Sequence, residues 1–221
     1  MASLAAAENE KCTVMAAVPA VVKALTMVPN VAKKLESVKS IVLAGAPVFP
    51  DIIHLCRDAL NIENISVSWG MTENTSPLSA HVGKDMDLNQ DKFFPVGTPA
   101  PGMKVKVCAP GLKVPLKMGE EGELHACGPQ VIRGYLDVKN DTFYEDEDGW
   151  WIMTGDAASI DEDGQVRILG RYKDIIIRGG ANIAPASIEQ CLNNVPGVDV
   201  SHCLTKFWTS KTNLAECSLK L

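Results

Sequence analysis

Apolar positions at Val18, Val21, Val22, Leu25, Val28, Val31 and Leu35 recur at spacings of three and four, which predicts a helix or a helix pair interrupted at Pro29. Ser40-Ile41-Val42-Leu43-Ala44-Gly45 follows as a short unbroken apolar run closed by glycine, the pattern of a strand buried on both faces. The helical period returns from Asp51 to Leu60, and Ile65-Ser66-Val67-Ser68 reads as a second strand. Strand, helix, strand in this order predicts parallel pairing through a right-handed crossover, and such sheets bind ligands at the carboxyl ends of their strands. Gly45-Ala46-Pro47 and Trp69-Gly70-Met71-Thr72-Glu73 stand at those ends.

A polar stretch punctuated by glycine and proline (residues 74–102) separates this part from one of different pattern. Val105-Lys106-Val107, Glu123-Leu124-His125-Ala126, Val131-Ile132, Ala157 to Ile160 and Gln165 to Leu169 predict short strands in a separate small antiparallel sheet. Asp161-Glu162-Asp163-Gly164 is a hairpin turn with glycine free to take a positive φ. A third pattern starts at Gly170: a strand from Asp174 to Ile177, a helix from Pro185 to Asn194 and a strand from Val198 to Leu204. Beyond Thr205, Lys206, Phe207, Trp208 and Lys211 predict no clear element. The expected fold class is α/β: a partial parallel α/β sheet layer, then a small antiparallel β subdomain, then the start of a small α+β C-terminal domain.

Composition narrows the function classes. A hydrophobic share of 46% and a charged share of 22% suit a globular chain that buries a core. The formal charge of −6 offers nucleic acid no electrostatic hold, so no nucleic-acid partner is expected. The longest apolar stretch, Val14 to Leu25, is broken by Pro19 and Lys23 and is shorter than the ~20 residues that cross a bilayer. No membrane span is expected. Met1 to Glu8 lacks the basic start and apolar core of a secretion signal, and seven scattered cysteines contain no CxxC pair. A reducing, cytoplasmic setting with cysteines as small hydrophobes is the expectation. Leu219-Lys220-Leu221 has the look of a peroxisomal address but lacks its small first residue, which leaves chance the better explanation. His54, His81, His125 and His202 show no spacing that suggests metal or triad chemistry.

Five strings occur in order: Gly45-Ala46-Pro47, Trp69-Gly70-Met71-Thr72-Glu73, Gly122-Glu123-Leu124 through Gly134-Tyr135, Met153-Thr154-Gly155-Asp156, and Gly170-Arg171-Tyr172-Lys173-Asp174 with Arg178-Gly179-Gly180-Ala181-Asn182-Ile183. Each alone also reads as a turn, a cap or a surface ion pair. Jointly they resemble the adenylate-forming (AMP-binding) superfamily, and most of all its acyl-CoA synthetase/ligase branch, over about residues 10–204. Peptide-synthetase adenylation domains are the second branch they resemble. A dehydrogenase is disfavoured, because no GxGxxG opens a strand-to-helix turn.

The resemblance implies a reaction in which a carboxylic acid displaces pyrophosphate from ATP and a thiol then displaces AMP from the acyl adenylate. ATP/AMP, Mg2+ and coenzyme A are the implied cofactor and co-substrates, and a small carboxylic acid is the implied substrate. Glu73 is implied as the magnesium ligand near the phosphates and Thr72 as a hydroxyl donor to the α-phosphate, which makes this pair the catalytic candidates. Gly45, Ala46, Pro47, Trp69, Gly70 and Met71 are implied around the adenine, with Trp69 where relatives usually carry tyrosine. Asp156 and Arg171 are implied at the ribose, Lys173 at the interdomain hinge, and Gly179 and Gly180 along the CoA pantetheine arm.

The same resemblance implies residues 1–169 as the C-terminal part of the large AMP-binding domain, with 1–94 α/β and 95–169 a β-rich subdomain. Residues 170–221 would begin the mobile C-terminal domain. The family's glycine-, serine- and threonine-rich phosphate loop has no counterpart here, and Lys206, Lys211 and Lys220 lack the context of the catalytic lysine. The expectation is a truncated chain of low turnover, with open sheet edges that invite aggregation or a protein partner. A non-catalytic remnant that binds AMP, an acyl adenylate or a partner protein stays open as the alternative.

Overall fold

A computed structural model describes residues 2–75, 78–82, 94–137, 141–178, 181–193, 195–198, 200–207 and 213–220. The chain begins with helix α1 (Ala2–Asn9) and a short strand β1 (Val14–Ala17). Helices α2 (Pro19–Thr26) and α3 (Val31–Lys34) follow, divided at Pro29-Asn30 as the spacing predicts. Proline at the first turn of α2 suits a position whose N–H has no helical acceptor. α2 is closed by Met27 as its C-cap, and Asn30, with a left-handed φ of 58°, stands at the N-cap of α3 and redirects the chain into it.

Strand β2 (Ser40–Leu43) leads into α4 (Pro50–His54), whose last turn widens to π geometry over Leu55–Ala59, and then into β3 (Asn64–Trp69). β1 and β2 pair in parallel, as do β2 and β3, with Leu43 opposite Val67. Strands β4 (Leu78–Val82) and β5 (Thr98–Pro99) extend this sheet antiparallel, in the order β1-β2-β3-β4-β5. β4 lies inside the stretch whose glycines and prolines mask it in the sequence.

The second sheet is antiparallel: β6 (Lys104–Cys108), β7 (Gly122–Cys127), β8 (Phe143–Asp146), β9 (Gly149–Ile160) and β10 (Val166–Arg171). Its order is β10-β9-β7-β6, with β8 also paired to β9. The turn at Asp161 to Gly164 joins β9 to β10, and Gly164 has a φ of +75°. Val131-Ile132 is not a strand. Val131 is buried, and the Ile132 N–H donates 2.9 Å to the Glu73 carbonyl, so it ties the two sheets' loops together rather than extending a ladder.

The sheets share one core. Val96 N–H donates to the Val166 carbonyl and Val166 N–H to the Gly97 carbonyl. Ile41, Leu43, Ile65 and Leu78 of the first sheet fall in one apolar cluster with Val107, Leu124 and Val166 of the second. Each such fully buried side chain contributes about 1.5–3 kcal/mol relative to exposure.

The last part holds a hairpin of β11 (Ile176–Arg178) and β12 (Ala181–Ile183), helix α5 (Pro185–Asn193), and strands β13 (Val200–Phe207) and β14 (Asn213–Lys220). β13 and β14 pair antiparallel in register from Val200↔Lys220 to Phe207↔Asn213. The expectation of no element beyond Thr205 is therefore corrected, since β13 runs on to Phe207 and β14 follows. Trp208, Lys211 and Leu221 lie outside the described residues. The Asn193 and Glu189 side chains accept the Ser201 and Cys203 backbone N–H groups, which fastens α5 to β13. Among the described residues, no helix is long and apolar enough to cross a membrane.

Candidate nucleotide site

Trp69 closes β3, and the parallel register sets Gly45-Ala46-Pro47 beside it at the same edge of the first sheet. Gly45 needs its hydrogen side chain: its φ is +80°, and a Cβ would meet Val18 Cγ1 at 3.3 Å. Gly45, Ala46 and Pro47 are all exposed, so backbone is open to a ligand there.

Past Gly70 the chain folds into a turn around Asn74, which is 0% exposed. Its Oδ1 accepts the Met71 N–H at 2.9 Å, while the Asn74 and Thr75 N–H groups donate to the Met71 carbonyl. Asn74 Nδ2 is buried and has no hydrogen-bond partner among the described residues. This turn presents Thr72, exposed, and Glu73, half-buried. The Tyr135 hydroxyl donates to Glu73 Oε1, and the carboxylate at the end of that bond holds the phenol above its ordinary pKa.

Asp156 reaches the same edge by a different device. In the β7–β9 ladder Glu123 faces Ala157 and His125 faces Met153, so Thr154, Gly155 and Asp156 stand opposite Leu124 alone. Such a bulge re-aims a strand and strips backbone groups of their ladder partners. The vacated groups are taken up locally. Thr154 Oγ1 donates to the Leu124 carbonyl at 2.7 Å and accepts the Asp156 N–H at 3.1 Å. Glu123 Oε1 accepts the Gly155 N–H at 3.1 Å, Glu123 Oε2 accepts the Gly111 N–H at 2.9 Å, and the Gly155 carbonyl accepts the Tyr172 N–H at 2.9 Å.

The Asp156 carboxylate is 4% exposed and is held from both sides. Oδ2 accepts the Trp69 indole N–H at 2.8 Å, and Oδ1 pairs with Arg171 Nε at 2.7 Å. Burial raises its pKa, against the opposing effects of the Arg171 cation and the indole hydrogen bond. The structure thus brings Trp69, Asp156 and Arg171 into contact, with Glu73 four residues beyond Trp69 in the adjoining turn. Lys173 lies exposed in the turn after β10, where the Asp174 and Ile175 N–H groups donate to the Arg171 carbonyl. Gly179 and Gly180 lie outside the described residues.

Sequence reasoning quoted Glu123, Thr154 and Tyr135 inside longer strings but gave them no role, and it did not single out Asn74. Their partners are set by folding: Glu123 meets Gly155 across 32 residues and Tyr135 meets Glu73 across 62. No periodicity reports such contacts.

The donor set fits AMP. An ionised carboxylate has about four lone-pair sites, so the two bonds from Trp69 and Arg171 leave Asp156 capacity for two hydroxyl donors, the number on a ribose. Among the described residues no group of three His, Cys, Asp or Glu gathers in metal-ligating fashion. Glu73 is an oxygen ligand of the type magnesium takes at nucleotide sites, where phosphate and water commonly complete the shell.

The chain is similar to known proteins over most of its length. The family profile described as AMP-binding enzyme matches residues 1–136. A putative acyl-CoA synthetase YngI of Bacillus subtilis (strain 168) is 33% identical over 192 residues, covering 86% of this chain and 35% of that protein. The mitochondrial medium-chain acyl-CoA ligase ACSF2 of Danio rerio is 34% identical over 206 residues, covering 89% of this chain and 32% of its own length. The chain thus spans about a third of the length of these relatives. The structure of O-succinylbenzoate coenzyme A synthetase from Bacillus subtilis with ATP and magnesium superposes with a TM-score of 0.78 at 25% identity, covering 99% of this chain and 43% of that one.

Proposed function

Because the chain belongs to the AMP-binding enzyme family, we propose that the rim formed by Trp69, Glu73, Asp156 and Arg171 holds the adenylate in an ATP-dependent acyl-CoA ligase. The single observation that carries this reading is the Asp156 carboxylate, set by a bulge between the Trp69 indole and the Arg171 guanidinium with each oxygen fixed by one bond. Two fixed acceptors match the geometry of a vicinal ribose diol.

In this reading Asp156 accepts the two ribose hydroxyls, and Arg171 supplies its remaining guanidinium donors beside it. The bond from Trp69 to Asp156 orients the indole, which in this reading stacks on the adenine beside the exposed Gly45-Ala46-Pro47 backbone. Thr72 donates its hydroxyl to the α-phosphate. Glu73 would hold magnesium, which when bound would supply charge neutralisation for the phosphates and the departing pyrophosphate. A carboxylate oxygen of the substrate bonds to the α-phosphorus as the bond to pyrophosphate breaks. The CoA sulfur then bonds to the acyl carbon, its proton is lost, and AMP leaves. Lys173 serves as the hinge.

The acyl-CoA ligase branch has more support than the peptide-synthetase branch, since YngI and ACSF2 both carry acyl-CoA synthetase or ligase names. The test is equilibrium binding of AMP to the purified chain, paired with pyrophosphate release from ATP, Mg2+ and a panel of carboxylic acids. AMP binding that disappears in Asp156→Ala supports the site. A wild-type chain without AMP affinity sinks it.

A further inference from the structure

The geometry points to Thr154 and Glu123 as positioning residues that hold the β9 bulge in the one shape that presents the Asp156 carboxylate to a ribose. This inference rests on the nucleotide reading above and adds to it the parts that make it work.

Three residues of β9 opposite one of β7 cannot keep a regular ladder. Without substitutes, the buried Asp156 N–H and Leu124 carbonyl and the half-buried Gly155 N–H would lack ladder partners, which costs each its desolvation. The substitutes are specific. The Thr154 hydroxyl bridges the two strands, since it donates across to Leu124 and accepts from Asp156 two residues on. Thr154 is itself 4% exposed, so water does not compete for that hydroxyl. The Glu123 carboxylate spends one oxygen on Gly155 and the other on Gly111, both backbone donors, and is 8% exposed. An amide at 123 accepts at one end only and would aim N–H at N–H at the other.

Every backbone atom between Thr154 and Asp156 that these groups hold lies within two residues of the carboxylate. Loosening them turns the Asp156 Cα–Cβ bond and breaks the match of its oxygens to two adjacent hydroxyls. Gly155 contributes conformation rather than contact: its φ is +72°, and a Cβ there would meet nothing within 4 Å.

A ratio of affinities separates positioning from general structure. The measurement is binding of AMP and of 2′,3′-dideoxyadenosine 5′-monophosphate to wild type, Thr154→Val, Thr154→Ser and Glu123→Gln by equilibrium dialysis. Wild type should prefer AMP. Thr154→Val keeps side-chain volume but loses the bridge, and its preference should fall roughly tenfold, the loss expected for a misaligned bond to a charged acceptor. Thr154→Ser restores the hydroxyl and should regain most of that preference. Glu123→Gln should lose preference while dideoxy-AMP affinity stays near wild type.

The ratio does not depend on the fraction of folded protein. If the wild type discriminates but Thr154→Val and Glu123→Gln discriminate equally well, the positioning role is overturned while the ribose reading stands. A variant that binds neither nucleotide also counts against positioning, because a fault confined to the aim of the Asp156 oxygens at the hydroxyls leaves the dideoxy analogue its other contacts. A wild type that fails to distinguish the two ligands removes the nucleotide reading itself, and the inference with it.

Discussion

The two carboxylates proposed for the nucleotide stand in opposite mechanical settings. Asp156 grows from the middle of a twelve-residue strand, is 4% exposed, and is clasped by an indole and a guanidinium. Glu73 sits half-buried in a four-residue turn and meets one phenol from a loop. The difference matches the tasks proposed for them. A ribose has fixed geometry, and a preorganised acceptor recognises it without ordering cost. A magnesium ion with its waters and phosphates shifts as the phosphoryl group transfers, and a ligand on a turn can follow it.

The comparison breaks most decisively at Asp156. Asp156→Ala removes two hydroxyl contacts to a charged acceptor, together worth about 3 kcal/mol, so AMP affinity should drop on the order of 100-fold in a calorimetric titration. The same change leaves Arg171 and the Trp69 indole without their partner, and a lowered thermal midpoint should accompany it. Retained AMP affinity in a folded variant would mean the ribose lies elsewhere. Glu73→Gln should behave differently: AMP affinity measured without metal stays within about twofold, while Mg2+-dependent binding of ATP weakens roughly tenfold or more. Equal losses in both assays would erase the proposed division of labour.

Acid sharpens the picture at the bulge. His125 is 0% exposed, its Nδ1 hydrogen-bonds the Tyr144 hydroxyl at 2.7 Å, and its Nε2 has no hydrogen-bond partner among the described residues. Burial pushes its pKa down to about 4, against the opposing pull of the Glu123 carboxylate 4.0 Å away. The unfolded imidazole, at about 6.5, takes a proton that the folded one refuses. His125 therefore favours the fold fully above pH 6.5. As pH falls from 6.5 towards 4 that stability is lost, by on the order of 3 kcal/mol, and further acid adds nothing from this group. Urea unfolding of wild type and His125→Phe at pH 7.5 and pH 4.5 checks this: the gap between them should narrow or reverse in acid. The smallest effect belongs to Tyr135→Phe. It removes a bond to Glu73 at an exposed ring and should weaken Mg2+-dependent ATP binding only about twofold, with unchanged melting.

Much of the frame was legible in the chain. Ile41 to Leu43 announces a strand as an apolar run and Ile65-Ser66-Val67 as an alternating one. The two pair in parallel, with Ile41, Leu43, Ile65 and Val67 buried and Val42 and Ser66 between them only half-buried, so the expectation of burial on both faces of the first is met on one. Gly164 marks its hairpin because a positive φ selects glycine. β4 and β14 escaped notice. The first is five residues set among turn formers, and the second alternates serine, glutamate and lysine with small apolar residues, too weakly to stand out. In the site, Glu73, Asp156 and Arg171 stand in strings that resemble a family, so their types were readable. That Trp69 reaches Asp156 across 87 residues was not, because it depends on how two sheets meet.

Arg171 does two jobs with two ends. Its guanidinium closes on Asp156, while its carbonyl receives the N–H groups of Asp174 and Ile175. The direction in which the polypeptide departs from the sheet is decided at the residue that touches the carboxylate. A torque on anything downstream of that junction would bear first on the ion pair with Asp156 and, in the proposed reading, on the ribose.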